Sequence, residues 1–118
     1  AEDIRNAYKK FVTHKMKFLM SVAEYPHTPY EAVTLDEKGI ITPEFENYIN
    51  LPANQLRKAY RSDGALHILD IKAFKKEKSY YAQPLYSYVM SRYNSVDIDN
   101  EEDLCWAEYL LEKKIKND

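Results

Sequence analysis

Apolar residues recur over the first fourteen positions at helical spacing: Ile4, Ala7, Tyr8, Phe11 and Val12 fall at i, i+3, i+4, i+7 and i+8. Asp3 lies near the start of that segment and lysines near its end, as the helix dipole favours, so the spacing predicts a helix over residues 2–14. The pattern then changes. Phe18 to Tyr25 is an apolar, partly β-branched run closed by Pro26, which predicts a buried strand. Tyr30 to Leu35 and Ile40 to Thr42 flank Asp36-Glu37-Lys38-Gly39 and predict two short strands around a turn. Between Pro43 and Arg61 no clean period survives. Pro52, Asn47, Asn50 and Asn54 are scattered among aromatics, which predicts a long loop with room for one helical turn. Ala65 to Ile71 reads as a strand, Lys72 to Lys78 as a short charged helix or turn, and Tyr86 to Val96 as an extended stretch. The last element is the clearest. Asn100 can cap a helix that opens on Glu101, Glu102 and Asp103 and closes on Lys113, Lys114 and Lys116. Leu104, Ala107, Leu111 and Ile115 share one face with Leu110 beside them, and Glu108 and Glu112 point away, so a helix over 100–115 is expected to dock on a core. Alternating helices and strands favour an α/β layer arrangement.

At 118 residues, 45% hydrophobic and 31% charged, residues 1–118 fit one compact domain. Seventeen basic residues against nineteen acidic ones leave a net charge of -2, so no electrostatic footprint points to nucleic acid or to an anionic membrane. No apolar run approaches the roughly 20 residues of a membrane helix, and no basic-then-apolar start marks a signal peptide, which gives a cytoplasmic expectation. Cys105 is the sole cysteine, can form no internal disulfide, and is expected to serve packing. The eleven tyrosines suit an interface or a cleft, because the ring gives contact area while the hydroxyl tolerates a wet edge.

Chemistry concentrates at Asp97-Ile98-Asp99, after a predicted strand and before the last helix. In extended chain both carboxylates face the same side, and two hard oxygens can hold Mg²⁺ or Mn²⁺ while phosphates and water complete the shell. The same residues also serve a plain helix cap with Asp97 in solvent, and spacing alone leaves both readings open. A calcium loop fails because its sharp turn needs glycine where Glu102 stands. His14, His27 and His67 lack zinc-like spacing, no serine or cysteine has the flanks of a nucleophile elbow, and Gly39 and Gly64 are too far apart to form a phosphate cradle.

Three stretches, in order, resemble the acylneuraminate cytidylyltransferase (CMP-sialic acid synthetase) family. They are Ser21-Val22 with His27-Thr28-Pro29-Tyr30, then Ala59-Tyr60-Arg61-Ser62-Asp63-Gly64-Ala65-Leu66-His67-Ile68, then Ser95-Val96-Asp97-Ile98-Asp99-Asn100-Glu101-Glu102-Asp103-Leu104 followed by Ala107-Glu108. The resemblance is to the C-terminal half of such enzymes. It implies a partial Rossmann-like nucleotidyltransferase sheet of mixed strands flanked by helices, in a homodimer that joins CTP to an acidic sugar and releases pyrophosphate. By the same resemblance Asp97 and Asp99 would bind the metal, while Tyr60 and Gly64 would lie near the sugar; as residues alone they read equally as a packed aromatic and a turn glycine.

There are departures. The family's arginine in an Arg-Gln-x-Leu-Pro segment aligns with Ala53, ahead of Asn54-Gln55-Leu56-Arg57, and a basic residue after the His-x-Pro segment is Glu31 here. Charge alone then disfavours a sugar carboxylate. The glycine- and arginine-rich loop with which the family grips the triphosphate is not among these residues, so the 118 residues by themselves are expected to be inactive, as a fragment or a stand-alone relic. The alternative is a non-catalytic dimerising or binding module of the same fold. In either case dimerisation is expected through the Tyr-rich middle segment.

Overall fold

A computed structural model describes residues 2–117, with side chains as far as residue 114. Two compact units divide the chain: Ala1–Ala23 with Ser62–Asp118, and Glu24–Arg61.

Strand β1 (Phe18–Glu24) centres the first unit, and all its residues except Val22 and Glu24 are buried. A strand covered on both faces needs a continuous apolar run rather than alternation, which Phe18-Leu19-Met20 supplies. On one side β5 (Leu85–Val89) pairs with it in parallel, from Phe18 opposite Leu85 to Val22 opposite Val89. On the other side lies β4 (Tyr60–Leu69). Asp70 N–H reaches Lys17 C=O at 2.9 Å while Leu66 meets Ser21, so the two strands run in opposite directions. The result is a mixed three-stranded sheet flanked by helices, a partial Rossmann-like arrangement.

Helix α1 (Glu2–Thr13) meets this sheet through Ala7, which clusters with Met16 and Leu19 beneath Phe11, Leu66, Ile68 and Tyr88. Full burial of a residue such as Leu19 contributes roughly 2 kcal/mol. Two polar ties fix the helix to β5: Lys10 Nζ donates to Ser87 C=O at 2.7 Å, and Tyr88 Oη donates to Asp3 at 3.0 Å. Only Ala7 and Phe11 of the expected stripe are used, since Ile4, Tyr8 and Val12 are each more than half exposed. Helix α2 (Ile71–Glu77) is capped by Asp70, which accepts from Ala73 N–H at 2.8 Å; that bond is the main reason the Asp70 carboxyl titrates below its usual range. Beyond α1 and α2 the chain turns through Lys15 and Lys78 in left-handed geometry, φ 50° and 51°, positions where glycine would be less strained.

Four expectations change. The strand predicted from Ala65 to Ile71 begins at Tyr60 and ends at Leu69, because the Asp70 cap turns Ile71 into α2. The extended stretch predicted to Val96 stops at Val89; Ser91 accepts from Tyr93 N–H and starts a 3-10 turn over Arg92–Asn94. Helix α3 (Glu101–Asn117) does not dock on a core. None of its described side chains is buried: Leu104 is 45% and Leu111 61% exposed, and Ala107 and Leu110 are half-buried beside an open groove of about 240 Å³ shared with Tyr93 and Val96. Cys105 is exposed and packs nothing. The Ile115 and Lys116 side chains lie outside the described residues.

In the second unit β2 (Val33–Leu35) and β3 (Ile41–Pro43) form an antiparallel hairpin with Thr34 opposite Thr42. Asp36 closes its turn by accepting from Lys38 and Ile40 N–H at 2.9 and 2.8 Å, and Gly39 supplies the φ of 79°. The segment predicted as a loop holds a 3-10 turn at Ala53–Gln55, and a second 3-10 turn, Pro29–Glu31, is capped by Thr28.

Candidate functional site

Asp97 and Asp99 lie between the 3-10 turn Arg92–Asn94 and the start of α3, and both are exposed. The helix start is fixed by a reciprocal cap. Asn100 Oδ1 accepts from Asp103 N–H at 3.0 Å, while Asp103 Oδ2 accepts from Asn100 N–H at 3.2 Å and Asp99 N–H at 3.1 Å. Capping therefore uses Asn100 and Asp103, and neither the Asp97 nor the Asp99 carboxylate is spent on it. Among the described residues no cation pairs with Asp97 or Asp99, and no group of three or more His, Cys, Asp or Glu side chains is placed to hold a metal.

Gly64 lies beside Asp97. It sits inside β4 with φ 70°, the mark of a bulge, and a Cβ placed on it would lie 3.7 Å from Asp97 Oδ2. Two stretches that are more than thirty positions apart in sequence thus meet at one point of the first unit. Tyr60, the first residue of β4, stands in the second unit and is 45% exposed.

Behind Gly64 lies a polar group that sequence reasoning passed over. Ser21 and Asp63 are 1% and 3% exposed, and Ser21 Oγ donates to Asp63 Oδ1. Ser21 Oγ also accepts from Leu66 N–H at 2.9 Å, and Asp63 Oδ1 from Ala65 N–H at 3.2 Å. Asp63 Oδ2 and the hydroxyl of buried Ser95 have no partner among the described residues. The signal was available in the chain: a serine within an apolar strand must find a partner if buried, and Asp-Gly within a strand announces a bulge.

The second unit carries a cavity of about 300 Å³ lined by Ala53 and Glu31 together with His27, Arg57, Lys58 and Glu24. Positive charge is thus present beside the two positions whose residues implied its loss. Lys58 is paired with Glu24 at 3.1 Å. Arg57 donates from Nε to Tyr30 Oη and lies over the Tyr30 ring, 5.3 Å from its centroid.

No protein-family model matches the chain. Over 107 residues, 91% of this chain, it is 28% identical to pseudaminic acid cytidylyltransferases from two strains of Campylobacter jejuni subsp. jejuni. Its relatives are cytidylyltransferases. A third, the N-acylneuraminate cytidylyltransferase of Streptococcus agalactiae, is 25% identical over 100 residues, 85% of this chain. The chain spans about half the length of the Campylobacter cytidylyltransferases, 46%, and 24% of the streptococcal one. Among the described residues no helix is long and apolar enough to cross a membrane.

Proposed function

We propose that this chain forms the sugar-binding and dimerisation half of a nucleotidyltransferase that joins CTP to an acidic sugar, giving a CMP-sugar and pyrophosphate. What carries this reading is the match to cytidylyltransferases along 91% of the chain, supported by the meeting of Gly64 and Asp97. Asp97 and Asp99 are the metal ligands. Two exposed, unpaired carboxylates suit Mg²⁺ or Mn²⁺, which keep several waters, and do not suit a cation that needs a full protein cage. When bound there, the ion would neutralise phosphate charge and fix the position of the reacting phosphate. The chain's own part is positional. The asparagine–aspartate cap holds the Asp97–Asp99 segment at the start of α3, and the glycine at position 64 leaves room beside Asp97 that any side chain would narrow. Gly64 contributes to the sugar site.

Pyrophosphate release tests this directly, assayed with CTP, Mg²⁺ and a panel of acidic sugars. The 118 residues by themselves should give no turnover, since their two glycines form no phosphate cradle. Adding the N-terminal half of a Campylobacter-type relative should restore turnover, and Asp97→Ala should reduce it by about 100-fold or more. Turnover by the chain alone, or an Asp97→Ala variant as active as the parent under complementation, would overturn the assignment. Paramagnetic Mn²⁺ should broaden NMR signals of residues 97–100 before any others.

The second reading is a non-catalytic dimerising module; α1 and α3 leave Ile4, Tyr8, Leu104 and Leu111 exposed, as an interface would, which suits the dimer of both readings. Light scattering at micromolar concentration should give a dimer on either reading, so the turnover assay separates them.

A further inference from the structure

Charge is not spread evenly over the first unit. Eight of the seventeen basic residues, all lysines, fall within residues 9–17 and 70–78, where the acids are Asp70 and Glu77 alone. The fold brings the two segments together at the end of the sheet where β1 starts. Asp70 N–H donates to Lys17 C=O, and Lys17 Nζ lies 3.5 Å from the Asp70 carboxylate. Glu77 is engaged as well, with Lys76 at 3.4 Å, and among the described residues no acid pairs with Lys72 or Lys75. Here an open groove of about 830 Å³ is lined by apolar Phe11, Leu69, Ile71 and Ala73 and by Lys17, Lys72 and Lys76. Ile71 is 66% exposed. Gly64, beside Asp97, lies further along β4, roughly 20 Å from Asp70 at about 3.3 Å per residue, so the groove is separate from the candidate metal site.

We propose that this groove docks an acidic, partly apolar peptide segment of a partner protein. Each part of that description answers to a part of the surface. Three lysines beside a single carboxylate, Asp70, which is already paired, leave the groove positive and so favour an acidic partner. Among the described residues no arginine lines it. Lysine is a mobile point charge that can follow carboxylates spread along a chain, whereas a planar arginine fork would mark a site for one compact anion. The apolar side calls for apolar side chains between the acids, because covering Ile71 and its neighbours is a hydrophobic gain that a chain of phosphates does not supply. A single-stranded nucleic acid needs open aromatic faces for its bases, and Phe11, the ring in this groove, is half-buried. An anionic bilayer needs apolar residues that protrude, whereas Phe11, Leu69 and Ala73 are half-buried in a concave surface.

The experiment is a ¹⁵N NMR titration of the chain at low salt with the acetylated, amidated hexapeptide Glu-Leu-Glu-Glu-Leu-Glu. Amide signals of Phe11, Lys17 and residues 69–76 should shift together and saturably. The same peptide with glutamine for glutamate should bind about fivefold more weakly or worse, since its exposed ion pairs are lost. With alanine for leucine it should bind about tenfold more weakly. Raising the salt to about 0.5 M should weaken the parent peptide several-fold. In the chain, Lys72→Gln combined with Lys76→Gln should lower affinity about threefold, and Ile71→Ser by a similar factor. All three side chains are exposed, so the variants should keep the parent's amide spectrum away from the groove. A glutamine peptide that binds as well as the parent, or shifts that fall outside the groove, would overturn the proposal. So would the absence of a saturable shift up to about 5 mM peptide, or tighter binding to phosphatidylglycerol vesicles or to a thymidine hexanucleotide than to the peptide.

Discussion

Deleting a single oxygen from Ser21 should cost more than its size suggests. The Ser21→Ala change leaves the strand backbone and its apolar neighbours in place and removes the hydroxyl that donates to Asp63 Oδ1 and accepts from Leu66 N–H at 2.9 Å. A hydrogen bond to a carboxylate contributes about 1.5–3 kcal/mol, and a backbone N–H left unmet in a partly buried place costs about 1–3 kcal/mol. The two terms overlap because Asp63 keeps its bond from Ala65 N–H, so a total near 3 kcal/mol is expected. For a chain of this length that corresponds to roughly 10 °C in Tm. Asp63→Asn is the informative control. It retains the Oδ1 acceptor and exchanges one unpartnered buried atom for another, so it should cost under about 1 kcal/mol, whereas Asp63→Ala should approach the serine variant. Urea denaturation followed by circular dichroism measures all three, and a double-mutant cycle of Ser21→Ala with Asp63→Ala should show coupling above about 1 kcal/mol. If Ser21→Ala lies within about 0.5 kcal/mol of the parent, or Asp63→Asn is as damaging as Ser21→Ala, the Oδ1 acceptor is not what holds this strand pair.

Asn100→Ala should cost about 1 kcal/mol by opening the cap shared with Asp103, read as a fall in Tm with loss of helical ellipticity. Gly64→Ala should cost about 1–2 kcal/mol through the φ of 70° rather than through collision, since its Cβ would stop 3.7 Å from Asp97; Gly64→Asn, which tolerates that φ better, should cost less. The Tyr88 hydroxyl is pushed above its ordinary pKa, first by burial and then by its bond to Asp3. Its contribution to stability is therefore complete below about pH 10, the unfolded value, and is lost as pH rises through the higher folded value. Tyr88→Phe should remove that alkaline loss, which denaturation across pH 8 to 11.5 would register.

The elements with an unambiguous period were legible in the sequence. Ile4, Ala7 and Phe11 placed α1, and the unbroken run from Phe18 placed the central strand, because burial on both faces forbids alternation. Boundaries failed where a single polar side chain redirected the chain. Asp70 converts Ile71 from strand to helix and Ser91 ends β5 early, and either residue could equally have faced solvent. The apolar stripe of α3 was read correctly as a pattern and wrongly as evidence of a core, since periodicity says which face is apolar but not what covers it. At the site, spacing marked Asp97 and Asp99 as candidates while leaving a plain cap open, and spacing marked neither Ser21–Asp63 nor Arg57. Their importance rests on partners that only the folded chain supplies: a buried strand for the first and the Tyr30 ring for the second.

The shallow seating of α3 has a kinetic consequence. A helix without one buried described side chain has little tertiary packing to add to its own marginal stability, so in the chain by itself it should open as a separate cooperative unit. Its amide hydrogens should then exchange with solvent far faster than those of β1, through openings that leave the sheet intact. Asp97 and Asp99 stand at the hinge of that motion. Anything that covers the helix, whether a second subunit or another part of a longer protein, would slow exchange along α3 and at the same time steady the two carboxylates, so protection of this one segment reports on assembly and on the order of Asp97 and Asp99 together.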